Sequence, residues 1–227
     1  LKGAQRDAMA SLVSQGYIQG YGDMLHPGDT ITRAEFVTIL YRIAPHRYTT
    51  GDEAIGNGGS LLSGSGVLTE QSFPHPLFFD CSSENISFQE VTASQVVLRS
   101  QTTGGVTLTK GTKIDRLVLA GGDGQKTTVA PDKTSSIGTL VVGDRKGDLI
   151  ISGAVDRVEV TGQSLQITIT TDLEALVVSG AGCQIFLSSD VTVRQIKLTD
   201  TSSINRIIIK QDTESIILNG TNNTLTT

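Results

Sequence analysis

The stretch IDRLVLAG, residues 114–121, decides the fold because it recurs. Related octapeptides begin at 137 (IGTLVVGD), 155 (VDRVEVTG), 173 (LEALVVSG), 193 (VRQIKLTD) and 213 (TESIILNG), with a fainter copy, ASQVVLRS, at 93. From 114 onward the starts lie 23, 18, 18, 20 and 20 residues apart. Positions 4 and 6 of each copy are apolar, and Gly or Asp is common at position 8. A second short apolar run falls between copies: TTVA at 127, LIIS at 149, LQITIT at 165, CQIFLS at 183 and INRIIIK at 204. Repeats of this length built from β-branched strands specify a solenoid. One coil cannot bury its apolar side alone, whereas coils stacked about 4.8 Å apart share a continuous core. The expected inward columns are Leu117, Leu140, Val158, Leu176, Ile196, Ile216 and Leu119, Val142, Val160, Val178, Leu198, Leu218.

The fold class is therefore mainly β, a parallel β-helix or β-solenoid. Right-handed winding is expected, since the hexapeptide pattern of the left-handed form is not evident. The segment 73–92 reads as an irregular first coil or cap. At the other end, NTLTT leaves a strand-like terminus whose edges call for more protein, a cap or self-association.

A second chemistry precedes the repeats. All four tyrosines lie in the first 48 residues and all three histidines before residue 76, while Phe186 is the only aromatic after Phe88. This partition gives a helical unit at 1–48, a Gly/Ser-rich linker at 49–72 and a solenoid of six to seven coils at 73–227. In the first unit Met9, Leu12 and Val13 form one apolar stripe, and Phe36, Ile39, Leu40 and Ile43 form another at helical spacing. Gly16 suits a C-cap, Pro45 follows the second helix, and the Gly- and Pro-containing loop between them completes a helix-loop-helix.

The net charge of −5 argues against a nucleic-acid partner, which needs a basic footprint. No apolar run approaches the roughly 18 residues of a membrane span. Because the chain begins at Leu1, it is expected to be a processed or cut piece. Cys81 and Cys183 follow neither a disulfide framework nor zinc-ligand spacing, and read as buried small hydrophobes.

Thr32 and Glu35 open the second helix as a capping box, the hydroxyl accepting a first-turn amide and the carboxylate reaching back. Arg33 then stands at the first helical position, where a cation opposes the macrodipole unless an anion is near. Free first-turn amides and an arginine fork together make an anion site, so capping and anion binding share these residues.

The stretch from Ala8 to Ala44 resembles one S-layer homology motif. Ile18, Gly20, Tyr21, Asp23, Pro27, Ile31, Thr32, Arg33, Ala34, Glu35 and Phe36 carry the resemblance, over about a fifth of the chain. It implies non-covalent attachment to an anionic, often pyruvylated, secondary cell-wall polysaccharide on a bacterial surface. Arg33, Thr32, Glu35, Gly20, Tyr21 and Asp23 would form that site. Gly22 and Met24 stand where the family usually has Pro and Gly, and Ala4 about where it has Trp. One motif is visible where members tend to carry three, which implies others upstream or an association of three chains.

Within the solenoid, position 2 repeats an acidic residue at Asp115, Asp156, Glu174 and Glu214, interrupted by Gly138 and Arg194. Paired carboxylates serve glycosidases and calcium sites. Against catalysis stand the absence of Tyr, Trp and His from the repeats and the lack of long insertions after 137. The expectation is a non-enzymatic surface protein, adhesin-like or a stalk. The alternative is a wall-anchored polysaccharide lyase or hydrolase, or a glycan-binding module. The GGDG at 121 is similar to calcium-binding nonapeptide repeats but occurs once, so no cofactor is expected and calcium is the one ion to consider. His75, Asp80, Cys81 and Glu84 lack metal-ligand spacing and read as loop residues. Position 5 carries Val97, Val118, Val141, Val177 and Ile217, interrupted by Glu159 and Lys197. If positions 4 and 6 point inward, this aliphatic column faces outward as a partner surface, unless a neighbouring segment covers it.

Overall fold

The computed structural model describes residues 66–226 except 82–84, 99–103, 122–125, 146 and 211–212, together with 60–64, 47–48 and single positions from 6 to 18. The chain divides into two compact units, Leu1–Arg47 and Tyr48–Thr227. In the first, the backbone is helical at Arg6, Met9, Ala10, Leu12 and Val13, too few positions to make an element, so the expected helix-loop-helix lies outside the described residues.

The second unit is a parallel β-solenoid with two long sheets, one of 11 strands and one of nine among the described residues. The chain alternates between them. Lys113–Leu119 lies in the first sheet, Thr127–Pro131 in the second, and Ser136–Val142 returns beside Lys113–Leu119. Among the described residues every ladder pair is parallel, and the repeats stand in register, with Leu117 beside Leu140, Leu140 beside Val158 and Val158 beside Leu176. Alternation along each strand then sends positions 4 and 6 inward. Leu117, Leu140, Val158, Leu176 and Ile196 are fully buried, and Leu119, Val142, Val160, Val178 and Leu198 nearly so. From the second sheet, Leu149, Ile167, Ile185 and Ile207 complete the core, aligned rung on rung. Position 8 is often Gly because coils touch there: a Cβ on Gly162 would collide with the Gly143 carbonyl, and one on Gly180 with that of Gly162.

Two boundaries differ from the sequence reading. The segment 73–92 is a regular coil, with Leu77–Cys81 in the first sheet and Asn85–Gln89 in the second. Its phenylalanines hid the aliphatic template: Leu77 and Phe79 take positions 4 and 6, and Phe79 meets Phe88 with ring centroids 6.0 Å apart. The linker also does not extend to 72. Ser60–Gly64 pairs with Leu77–Cys81, and Val67–Thr69 pairs with Asn85–Gln89. Gly and Ser around Leu61, Leu62, Val67 and Leu68 made a short-stranded coil look like a flexible connection.

Candidate functional site

The outward face of the first sheet carries the position-5 column. Phe78, Val97, Val118, Val141, Glu159, Val177, Lys197 and Ile217 follow one another in unbroken register, so the expected column exists and gains Phe78. Its exposure is uneven. Phe78 and Ile217 are exposed, Val118 and Val177 are half-buried, and Val97 and Val141 are buried at 9% and 6%. The expectation of a continuously exposed stripe is thus corrected. A β-branched side chain inside a parallel ladder is flanked above and below at about 4.8 Å. Arg116 reaches Glu159 two coils away at 3.0 Å, spanning the intervening coil that carries Thr139 and Val141.

Arg157 meets the same carboxylate at 2.9 Å, so two guanidinium groups share Glu159. Partial burial pushes the Glu159 carboxyl upward, but the hydrogen bonds and charges of Arg157 and Arg116 outweigh it and hold the group below its ordinary value. At the corner, Arg194 lies between Glu174 at 2.8 Å and Glu214 at 3.5 Å. Arg194, one of the two residues that interrupt the acidic column, is therefore a cation placed between carboxylates two rungs apart. Among the described residues, no group of three His, Cys, Asp or Glu side chains is placed to hold a metal. Asp123 in the GGDG stretch lies outside the described residues.

The second sheet presents a different face. Thr128, Ile150, Thr168, Phe186 and Ile208 align in one outward column, and the next runs through Thr107, Ala130, Ser152, Thr170 and Ser188. Several hydroxyls there donate to a carbonyl of the preceding coil: Thr107 to Ile86, Ser152 to Val129 and Thr170 to Ile151, at 3.1–3.3 Å. Thr161 and Ser179 do the same at the end of the first-sheet strands. Sequence reasoning missed this stitching. Its signal was a Ser or Thr directly after the last inward residue of many strands.

The turn that leads into the second sheet holds a buried polar network. Leu165 and Cys183 occupy one inward position, and Asn205 and Asn223 take it in the next two coils. Asn205, 1% exposed, accepts from the Cys183 amide at 2.8 Å and donates to the Gly180 carbonyl at 2.9 Å. Asn223 repeats the motif by accepting from the Asn205 amide and side chain at 3.1 and 3.0 Å. Cys183 is buried and free, and burial pushes its thiol pKa up. The residue before each is left-handed: Ser164, Gly182, Ile204 and Asn222 have φ of 55, 68, 55 and 55°.

The polysaccharide-site residues Gly20, Tyr21, Asp23, Thr32, Arg33 and Glu35 all lie outside the described residues. Over this part of the chain the family model for the S-layer homology domain matches residues 2–37, about a sixth of the sequence. The match contains all six of those residues and stops short of the Ile39 to Ile43 helical stripe. No curated protein and no solved structure matches the chain. The chain thus carries an S-layer homology domain followed by a β-solenoid, the arrangement of a bacterial cell-surface protein associated with the cell wall. Among the described residues no helix is long and apolar enough to cross a membrane.

Proposed function

We propose that the chain is a wall-anchored structural or adhesin-like protein without enzymatic activity. The N-terminal unit, folded as helix-loop-helix, holds an anionic secondary cell-wall polysaccharide, and the solenoid serves as stalk or contact surface. The observation that carries this reading is the S-layer homology match over 2–37, which contains the Gly20 to Asp23 loop and the Thr32 to Glu35 box. Arg33 meets the negative charge of the polymer beside first-turn amides, Thr32 and Glu35 fix the helix start, and the loop closes round the sugar.

For the solenoid, support comes from regularity. From Ser136 on, no connection between described strands exceeds seven residues, which leaves no long loop to wall a sugar cleft. Glu159, Glu174 and Glu214 are each engaged by arginine. The contact surface then centres on Phe78, Val118, Val177 and Ile217 rather than on the buried Val97 and Val141. Right-handed winding belongs to the same reading, since a strand–crossover–parallel-strand connection favours that hand.

The test is co-sedimentation with bacterial wall sacculi, intact or stripped of secondary polymer, with Arg33→Ala in parallel. Binding that needs both the polymer and Arg33 is expected. Equal binding to stripped sacculi, or full binding by Arg33→Ala, overturns the assignment.

A further inference from the structure

The outward face of the second sheet carries no charge in its two central columns. One runs from Thr128 through Ile150, Thr168 and Phe186 to Ile208, the other from Thr107 to Ser188, and neither holds an Asp, Glu, Lys or Arg. The first sheet differs, since its outward face bears Arg116, Arg157, Glu159 and Lys197. Copies of a chain with net charge −5 repel one another, and a face cleared of charge is where that repulsion is least. Ile150, Phe186 and Ile208 stand half-buried on it, and Phe186 is the only aromatic residue after Phe88. Interface centres are depleted of charge and enriched in aromatic residues in just this way.

The face also fits itself. Because the columns run in unbroken register, a twofold axis along the stack, over the column of Thr168, sets each residue of that column against the same residue of a second copy. Phe186 meets Phe186 and Ile150 meets Ile150, between sheets about 10 Å apart. In every rung the residue two before the axis then lies over the residue two after it. Gln166 faces Thr170, Gln184 faces Ser188, and Asp148 faces Ser152 rather than a second carboxylate. The Thr170 hydroxyl donates its proton to the Ile151 carbonyl at 3.1 Å, which leaves its oxygen to accept from a carboxamide. Gln166 and Gln184 are exposed and supply one. One rung further Arg206 faces Lys210, two cations, so the fit ends there. With ladder steps of about 4.8 Å from Val67–Thr69 to Gln184–Leu187, a width of three columns gives about 600 Å² on each copy. The total of about 1,200 Å² passes the roughly 1,000 Å² that a specific interface needs.

We propose that the outward face of the second sheet binds a second copy of this chain, with the two solenoids side by side and parallel about an axis over the column of Thr168. The interface is isologous and closes at two copies.

The test is sedimentation velocity of residues 1–227 over a concentration series, with charges placed on the axis. Wild type is expected to shift from monomer to dimer as concentration rises. Thr168→Glu sets two carboxylates against each other and is expected to raise the dimer dissociation constant at least about tenfold, with an unchanged circular dichroism spectrum. Thr128→Glu, two rungs away in the same column, is expected to do the same. Lys197→Glu, on the first sheet, is expected to leave the dimer as it is. Mixing Thr168→Glu with Thr168→Lys is expected to restore a dimer, as is mixing Thr128→Glu with Thr128→Lys. Mixing Thr168→Glu with Thr128→Lys, the pairing of a reversed copy centred on Ile150, is not. A monomer at every concentration, a dimer unmoved by both glutamates, a dimer lost in Lys197→Glu, or rescue of Thr168→Glu by Thr128→Lys as complete as by Thr168→Lys each overturns the proposal.

Discussion

Asn205 stands where the two preceding coils have Leu165 and Cys183, so an apolar-core view predicts that Asn205→Leu stabilises the solenoid. The hydrogen bonds predict the reverse. Asn205 satisfies the Cys183 amide and the Gly180 carbonyl, both in buried surroundings, and a leucine satisfies neither. Each backbone group left without its partner costs about 1–3 kcal/mol. Burying a leucine in exchange returns about 2 kcal/mol. The net expectation is a destabilisation of about 2 kcal/mol, roughly a 30-fold change in the folding equilibrium. Urea unfolding followed by circular dichroism measures the total. Hydrogen exchange at the Cys183 amide measures the local part, since that proton loses its acceptor. If Asn205→Leu is as stable as wild type and the Cys183 amide stays protected, the turn does not depend on the asparagine ladder and the reasoning fails.

Two further outcomes follow from the turns. Ile204 is β-branched, 67% exposed and held at φ 55°, a region that disfavours L side chains by about 1–2 kcal/mol and asparagine least. Ile204→Asn, which copies Asn222 one coil on, should raise the thermal midpoint by an amount equivalent to about 1 kcal/mol; a lower midpoint refutes the strain. Asp132 accepts from the Thr134 hydroxyl and amide and from the Lys110 amide, and these contacts, with Thr134 and Ser135 foremost, lower its pKa from 3.8 to about 2. A depressed carboxyl pKa gives stability that is complete above the unfolded value and lost as pH falls through the folded one. Thermal midpoints of wild type should therefore fall more steeply between pH 3.8 and 2 than those of Asp132→Asn, and identical slopes would refute it.

Legibility of the fold tracked side-chain type. From Ile114 on, the aliphatic pair at positions 4 and 6 is repeated faithfully enough that register followed from counting, and the ladder of Leu117, Leu140, Val158 and Leu176 agrees with it. Before that, Phe79 and Phe88 fill the core with larger rings, and Ser60–Gly64 packs a strand inside what reads as loop composition. Neither departure changes the backbone, so a template in residue names could not register them. The outward column was legible as an alternation, but its burial was not. On the same face Arg116 pairs with Glu159 from two coils away, 43 residues along the chain. Long-range ion pairs of that kind leave no periodic trace.

The proposed stalk role is supported by where the bonds of the solenoid point. Backbone ladders run along the stack, and the hydroxyls of Thr107, Ser152, Thr161, Thr170 and Ser179 add bonds in that same direction, each to the coil before. The ion pairs do likewise: Arg116 spans two coils to Glu159, and Arg194 joins the coils on either side of its own. Apart from Arg157 with Glu159, none of the described ion pairs stays within one strand. Interactions placed this way resist separation of neighbouring coils, the mode in which a repeat array fails because each unit touches only its neighbours. They do nothing to shape a pocket. Among the described residues these polar contacts are distributed along the length of the stack.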